Sequence, residues 1–274
     1  GIEVATRIAA VYPGPAFDIS EAARAEAAER GLESVDSLDA FVDCDIVVLS
    51  LPRSDISLSI ASRLAEVMKP GTLVMETSTV APGDIEAMKG LLAQSDIRLL
   101  DAAIVTGVPA MAAGESALLV GCEEPAAEDP VARILAAMSA SVTWTGEVGS
   151  AMAMKVIHNA VAHATMVTLA EARAMGQPYG ISEDMLVDML RGEGAGLLRP
   201  LLHRLGERVP AGNYEGGMSL AAARKDSVLA LQMAADHGVP LYSIAASHTA
   251  YENAMARFSG RDDYAVLAEL WAKA

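Results

Sequence analysis

Asp45-Ile46-Val47-Val48-Leu49-Ser50-Leu51-Pro52 is the stretch that decides the fold. An acid opens it, an unbroken apolar and β-branched run fills it, and a proline ends it. Such a run is too short for a helix and does not alternate, so it predicts a strand buried on both faces, the kind found in parallel sheets. Ser54 to Met68 then reads as a helix, and Lys69-Pro70-Gly71 turns the chain. Thr72–Glu76 is a second buried strand. Pro82 and Asp84 open a helix that runs to about Gln94, and Ile97–Asp101 is a third strand.

Upstream, Gly1 to Ala10 is helical in pattern, and Pro13-Gly14-Pro15 breaks it. Ala16-Phe17-Asp18 reads as a short strand ending in an acid. Ser20 caps a helix that stops at Gly31. Downstream come the strand Ser116–Gly121, a helix from Pro130 to Met138 and the strand Val142–Trp144. Strands alternating with helices of this length predict a doubly wound parallel sheet in an α/β domain. Ligands of such sheets bind at the carboxyl ends of the strands, which here are Asp18-Ile19, Leu51-Pro52-Arg53, Thr77–Thr79 and the loop 102–107.

Beyond residue 148 every pattern is helical, so the chain divides into an α/β domain, 1–148, and an all-α domain, 149–274. The second opens with Gly149-Ser150-Ala151-Met152-Ala153-Met154-Lys155-Val156-Ile157-His158-Asn159, part of one long helix to about Ala174. Later helices are expected at Ser182–Leu190, Leu197–Arg208, Ser219–Asp236 and Pro240–Arg257. Lys155 sits in the apolar pattern of the long helix, with Asn159 four residues on and therefore on the same face. On the residues alone, Lys155 is either a snorkelling surface lysine or a buried functional amine.

Composition excludes several classes. The chain has 274 residues and a net charge of −16, which argues against nucleic acid or an anionic membrane as partner. No apolar run is long enough to span a bilayer, and no signal-peptide pattern opens the sequence. The 2 cysteines, Cys44 and Cys122, form neither a disulfide framework nor a zinc pattern, and a cytoplasmic location is the expectation. His158 and His163 are five residues apart, the wrong spacing for two ligands on one helix face, so no metal is expected.

Five motifs in one order resemble the β-hydroxyacid dehydrogenase family, which includes 3-hydroxyisobutyrate dehydrogenase and tartronate semialdehyde reductase. They are Leu51-Pro52 after a buried strand, Glu76-Thr77-Ser78-Thr79-Val80-Ala81-Pro82, Asp101 to Gly114, Gly149 with Lys155 and Asn159, and Arg224-Lys225-Asp226. The resemblance runs from end to end. It implies a Rossmann-type dinucleotide-binding domain followed by a helical domain for substrate and oligomer contacts. It also implies hydride transfer between a nicotinamide cofactor and a small anionic β-hydroxy acid or its semialdehyde, in a homodimer or homotetramer.

The resemblance assigns roles residue by residue. Lys155 is the general acid/base, and Asn159 orients it or the substrate. Burial, the positive end of the helix near Gly149 and a nearby Lys225 are expected to bring the amine toward neutrality. Leu51, Pro52 and Thr79 line the cofactor, and Lys225 reaches it. Asp18, 17 residues after Gly1, holds the adenosine ribose and repels a 2′-phosphate, which favours NAD over NADP. Thr106 and Gly107 hold the substrate carboxylate, because Val105 stands where the family has serine. Gly1 takes the place of the third glycine of the family's G-x-G-x-x-G, so the first strand and the first two glycines are expected to precede it. Two other readings remain. One is an imine reductase-like NAD(P)H enzyme, although those relatives typically lack the lysine. The other is a non-catalytic nucleotide-binding relative.

Overall fold

The computed structural model describes residues 1–192 and 196–272. Two compact units form, Gly1–Ala160 and Val161–Ala274. The first unit runs α1 (Ile2–Ala9), β1 (Pro15–Phe17), α2 (Glu21–Glu29), β2 (Glu33–Val35), β3 (Ile46–Leu49), α3 (Ser54–Val67), β4 (Leu73–Glu76), α4 (Pro82–Ala93), β5 (Arg98–Ile104), α5 (Val108–Ala113), β6 (Ser116–Val120), α6 (Pro130–Met138) and β7 (Ser139–Trp144). The expected Rossmann-type α/β architecture is there, with strands and helices where the patterns placed them.

The apolar runs are continuous because the sheet is covered on both faces. Val47, Leu49, Val74 and Leu99 belong to a core with Leu64 of α3 and Met88 and Leu92 of α4. Their strand neighbours Met75, Leu100, Ala102, Leu118 and Val120 belong to a second core with Val4 of α1 and Ile134, Leu135 and Met138 of α6. Residues one apart on a strand face opposite sides, so two buried faces leave no place for polar alternation.

The sheet differs from a uniformly parallel one. β3, β4 and β5 are parallel, but β6 runs antiparallel to β5 while β7 is again parallel to β6. The connection 105–115 explains this. A crossover to a parallel strand needs a dozen or more residues. This link holds only the six-residue α5, and Gly114 in the left-handed region reverses the chain. β2 and α5 escaped the sequence reading: β2 has no apolar run, and α5 lies in a glycine-rich motif. β1 and β2 form a separate two-stranded parallel sheet, and among the described residues no ladder joins β1 to β3.

α7 (Ser150–Gly176) carries the chain from the first unit into the second. Ile157, Val161 and Met166 on this helix are 63%, 61% and 62% exposed. The second unit continues with α8 (Glu183–Leu190), a π-helix (Pro200–Arg208) that runs into the single turn α9 (Val209–Ala211), α10 (Leu220–Asp236), α11 (Ser243–Met255) and a 3-10 stretch (Tyr264–Trp271). The helix expected at 197–208 is therefore largely π-helical. Two buried acids organise this unit. Glu171 of α7 accepts hydrogen bonds from the backbone N–H groups of Tyr242 (2.5 Å), Ser243 (2.8 Å) and Ile244 (3.0 Å), capping α11. Asp263 accepts from Arg204 Nε at 3.1 Å, and the Arg204 guanidinium lies 3.9 Å from the centre of the Tyr264 ring.

Candidate active site

The carboxyl ends of β3 and β4 are stitched together. Thr77 donates twice to the carbonyl of Leu49, from its N–H at 2.9 Å and from Oγ1 at 2.6 Å. Ser78 N–H donates to Glu76 Oε1 at 2.7 Å, and Ser78 Oγ accepts from Leu51 N–H at 2.7 Å. These bonds fix the two turns whose next residues are Pro52 and Thr79, both exposed. Gly1 caps α1 beside them, where a Cβ would lie 3.5 Å from the carbonyl oxygen of Ser50. The structure thus gathers Gly1, Leu51, Pro52 and Thr79 at one end of the sheet.

Glu76 is fully buried, and among the described residues its Oε2 has no hydrogen-bond partner; neither has Ser57 Oγ, also buried. Burial drives the Glu76 carboxyl above its ordinary range, and the polar groups of Ser78 and the nearby Ser57 do not offset it. The sequence reading used Glu76 only as a motif letter. An acid closing a wholly apolar strand was the available signal.

At the end of β1, Asp18 is exposed. Its Oδ1 accepts from Ser20 N–H at 2.8 Å, and Arg24 donates to the carbonyls of Asp18 (2.7 Å) and Ile19 (3.1 Å). This bracing presents the Asp18 carboxylate in front of α2, whose N-terminus Ser20 caps. After β5, Val105 N–H donates to Ala117 O at 3.0 Å and is consumed by the sheet. Thr106 and Gly107 lie beyond it, exposed, with Gly107 as the N-cap of α5. Among the described residues the Thr106 hydroxyl and the Gly107 N–H are without hydrogen-bond partners, so both are open to a carboxylate.

Lys155 is 9% exposed. Among the described residues it has no ion pair and no hydrogen bond. Burial lowers its pKa below that of an ordinary lysine. Burial is the cause of that lowering. The N–H groups at the start of α7 are taken instead by Asp101, whose Oδ1 accepts from Gly149 N–H at 2.8 Å and whose Oδ2 accepts from Met152 N–H at 2.9 Å. Asn159 is half-buried one turn beyond Lys155, its Oδ1 3.2 Å from His158 Nδ1, and His158 is exposed. Lys225, in the second unit, is exposed and paired with Asp226 at 2.8 Å. Among the described residues no group of three His, Cys, Asp or Glu side chains could hold a metal, and no helix is long and apolar enough to cross a membrane.

Known proteins are similar to this chain along most of its length. Residues 8–146 match the family model described as the NAD binding domain of 6-phosphogluconate dehydrogenase. Residues 149–271 match the model described as NAD-binding of NADP-dependent 3-hydroxyisobutyrate dehydrogenase. The chain is 25% identical over 260 residues to 2-(hydroxymethyl)glutarate dehydrogenase of Eubacterium barkeri, covering 93% of this chain and 86% of that protein. It is 30% identical over 232 residues to L-threonate dehydrogenase of Cupriavidus necator, covering 82% and 76%. A variant imine reductase from Myxococcus stipitatus, solved with NAD+, shares the fold with a TM-score of 0.84 at 19% identity, covering 98% of this chain and 94% of that one. With both family models matched in order along one polypeptide, the chain belongs to the β-hydroxyacid dehydrogenase family of NAD(P)-dependent oxidoreductases.

Proposed function

We propose that this protein transfers a hydride between NAD and a small β-hydroxy acid or its semialdehyde, with Lys155 as general acid/base. The observation that carries the reading is Lys155 itself: a buried amine on α7, without a partner among the described residues and brought below the ordinary lysine range by desolvation. A lysine with its usual pKa of about 10.4 is a poor proton acceptor at neutral pH, and burial improves the match. In the oxidative direction the Lys155 amine takes the alcohol proton as the carbon loses its hydride. In the reductive direction the ammonium returns that proton to the carbonyl oxygen. Asn159 orients the reacting oxygen, and the Thr106 hydroxyl with the Gly107 N–H holds the substrate carboxylate.

The residues present suit a dinucleotide. The Asp18 carboxylate, braced by Ser20 and Arg24, accepts hydrogen bonds from a ribose and repels a 2′-phosphate, so NAD is favoured over NADP. Gly1 is the N-cap of α1, and the free N–H groups of that helix's first turn suit a pyrophosphate. Leu51, Pro52 and Thr79 line the cofactor, and Lys225 reaches it. The bound nicotinamide supplies or accepts the hydride. A second copy of the chain covers the exposed apolar residues of α7, giving a homodimer or homotetramer.

A second reading has one observation in its favour. Val105 brings no hydroxyl and its N–H is spent in the sheet, which weakens the carboxylate clamp and suits an imine substrate. Lys155 weighs against it. Titration with NAD and NADP, followed by turnover of a panel of small hydroxy acids, semialdehydes and cyclic imines, separates the two. NAD binding and hydroxy-acid turnover lost in Lys155→Ala support the first reading. Imine reduction that survives Lys155→Ala supports the second.

A further inference from the structure

We infer that Asp101 is the positioning residue for Lys155, and that Gly121 exists to give its carboxylate room. The inference rests on the reading of Lys155 as the acid/base. Asp101 is fully buried in β5, and each of its two oxygens takes one backbone N–H from the first turn of α7, at Gly149 (2.8 Å) and Met152 (2.9 Å). The carboxylate thus bolts the helix that carries Lys155 onto the sheet that carries the cofactor-side turns. Side chains of a helix slope toward its N-terminus, so the Lys155 stem lies back over the turn that Asp101 grips.

The surroundings are shaped around this one grip. Gly149 has φ of +98°, a left-handed conformation that delivers its N–H to Asp101 and that residues with a Cβ adopt poorly. A Cβ on Gly121 would overlap Asp101 Oδ1 and would lie 2.9 Å from the carbonyl oxygen of Glu147. Gly121 is not at a positive φ, so what its missing side chain provides is space. An aspartate held on both oxygens, and two glycines that make this possible, converge on the first turn of α7.

The test compares Asp101→Asn, Gly121→Ala and the double variant with the wild-type enzyme at saturating cofactor. Gly121→Ala is the sharper probe, because it keeps every hydrogen-bonding group and presses on the Asp101 carboxylate first, with the Glu147 carbonyl beside it. In both single variants kcat should fall about a hundredfold, the scale of an ångström-sized misplacement of a catalytic group. Cofactor affinity and substrate KM should stay within about threefold, the pattern of an interaction felt in the transition state. The double variant should be no worse than the poorer single, since both changes break one grip. Unchanged kcat, parallel loss of cofactor affinity, or additive effects would overturn the inference. Lys155→Ala run alongside tells the two failures apart. If it is inactive while the other variants turn over normally, the positioning role alone fails. If it retains activity, the reading beneath it fails as well. Should neither single variant fold, hydrogen exchange on the wild-type protein decides: a Met152 amide exchanging as fast as a frayed helix end refutes the grip, and one as slow as the helix interior upholds it.

Discussion

Replacing Glu76 by Gln should make this protein more stable at neutral and alkaline pH, and leave it unchanged in acid. Glu76 lies fully buried at the end of β4, and among the described residues its Oε2 has no partner. Burial raises its pKa, so over a window above about pH 4.3 the folded chain keeps a proton that the unfolded chain has released. Folded-state stability is then greatest below that pH and declines as the pH rises through the raised pKa. Each tenfold change in proton affinity is worth about 1.4 kcal/mol. Glutamine keeps the acceptor for Ser78 N–H and has no charge to desolvate. Once ionised, the orphaned Oε2 carries a desolvation penalty of about 1–3 kcal/mol that the neutral amide does not, so a gain of about 1–2 kcal/mol near pH 8 is expected. For a unit of this size that raises Tm by about 2–8 °C. The assay is thermal unfolding of both proteins from about pH 4 to about pH 8, with NAD affinity measured in parallel. The Tm difference should open from near zero in acid to its full value at high pH, with NAD affinity unchanged because the turns stay stitched. A difference that is constant across pH would refute the desolvation argument. So would a wild type that is the more stable protein at alkaline pH.

Lys155→Met should lower turnover by about 10²–10⁴-fold, the usual weight of a general acid/base, and raise stability at neutral pH by about 1 kcal/mol. The sign follows from the lowered pKa: the folded state disfavours the ammonium at neutral pH and is relieved as pH rises through the amine's pKa, so the gain should shrink in alkali in urea titrations. Glu171→Ala should cost about 2 kcal/mol by stripping three N–H groups at the start of α11 of their acceptor. Burial works to raise the Glu171 pKa, but those three donors outweigh it and hold it low. Its contribution is therefore complete above about pH 4.3 and fades as acid protonates it, and the two proteins should converge in acid unfolding curves. Asp18→Ser should weaken NAD about tenfold, which is about 1.4 kcal/mol, and leave NADP the same or tighter in a fluorescence titration.

The sequence shows the fold wherever burial shows in the residues. Val47, Val74 and Leu99 sit in strands sealed on both faces, so their apolar runs announced a covered sheet. β2 is Glu33-Ser34-Val35, a partly exposed strand with no such signature. The antiparallel step from β5 to β6 depends on how tightly 105–115 can turn, which residue types alone do not report. Lys155 and Asp18 stood out because a charge in an apolar run and an acid at a strand end are chemical anomalies. The link between Asp101 and Gly121 stayed hidden because they are 20 residues apart, one in β5 and one just after β6, and matter only through a contact. The same holds for Glu171, which meets its partners more than 70 residues along the chain.

The exposed apolar residues of α7 bear on how this protein melts. If a second copy covers Ile157, Val161 and Met166, association and folding share one equilibrium, and the chain has no single unfolding temperature of its own. Dilution draws the assembly apart and lowers the midpoint, while concentration raises it. Its stability then becomes a property of how much of the protein is present, set by mass action as much as by the contacts inside one chain.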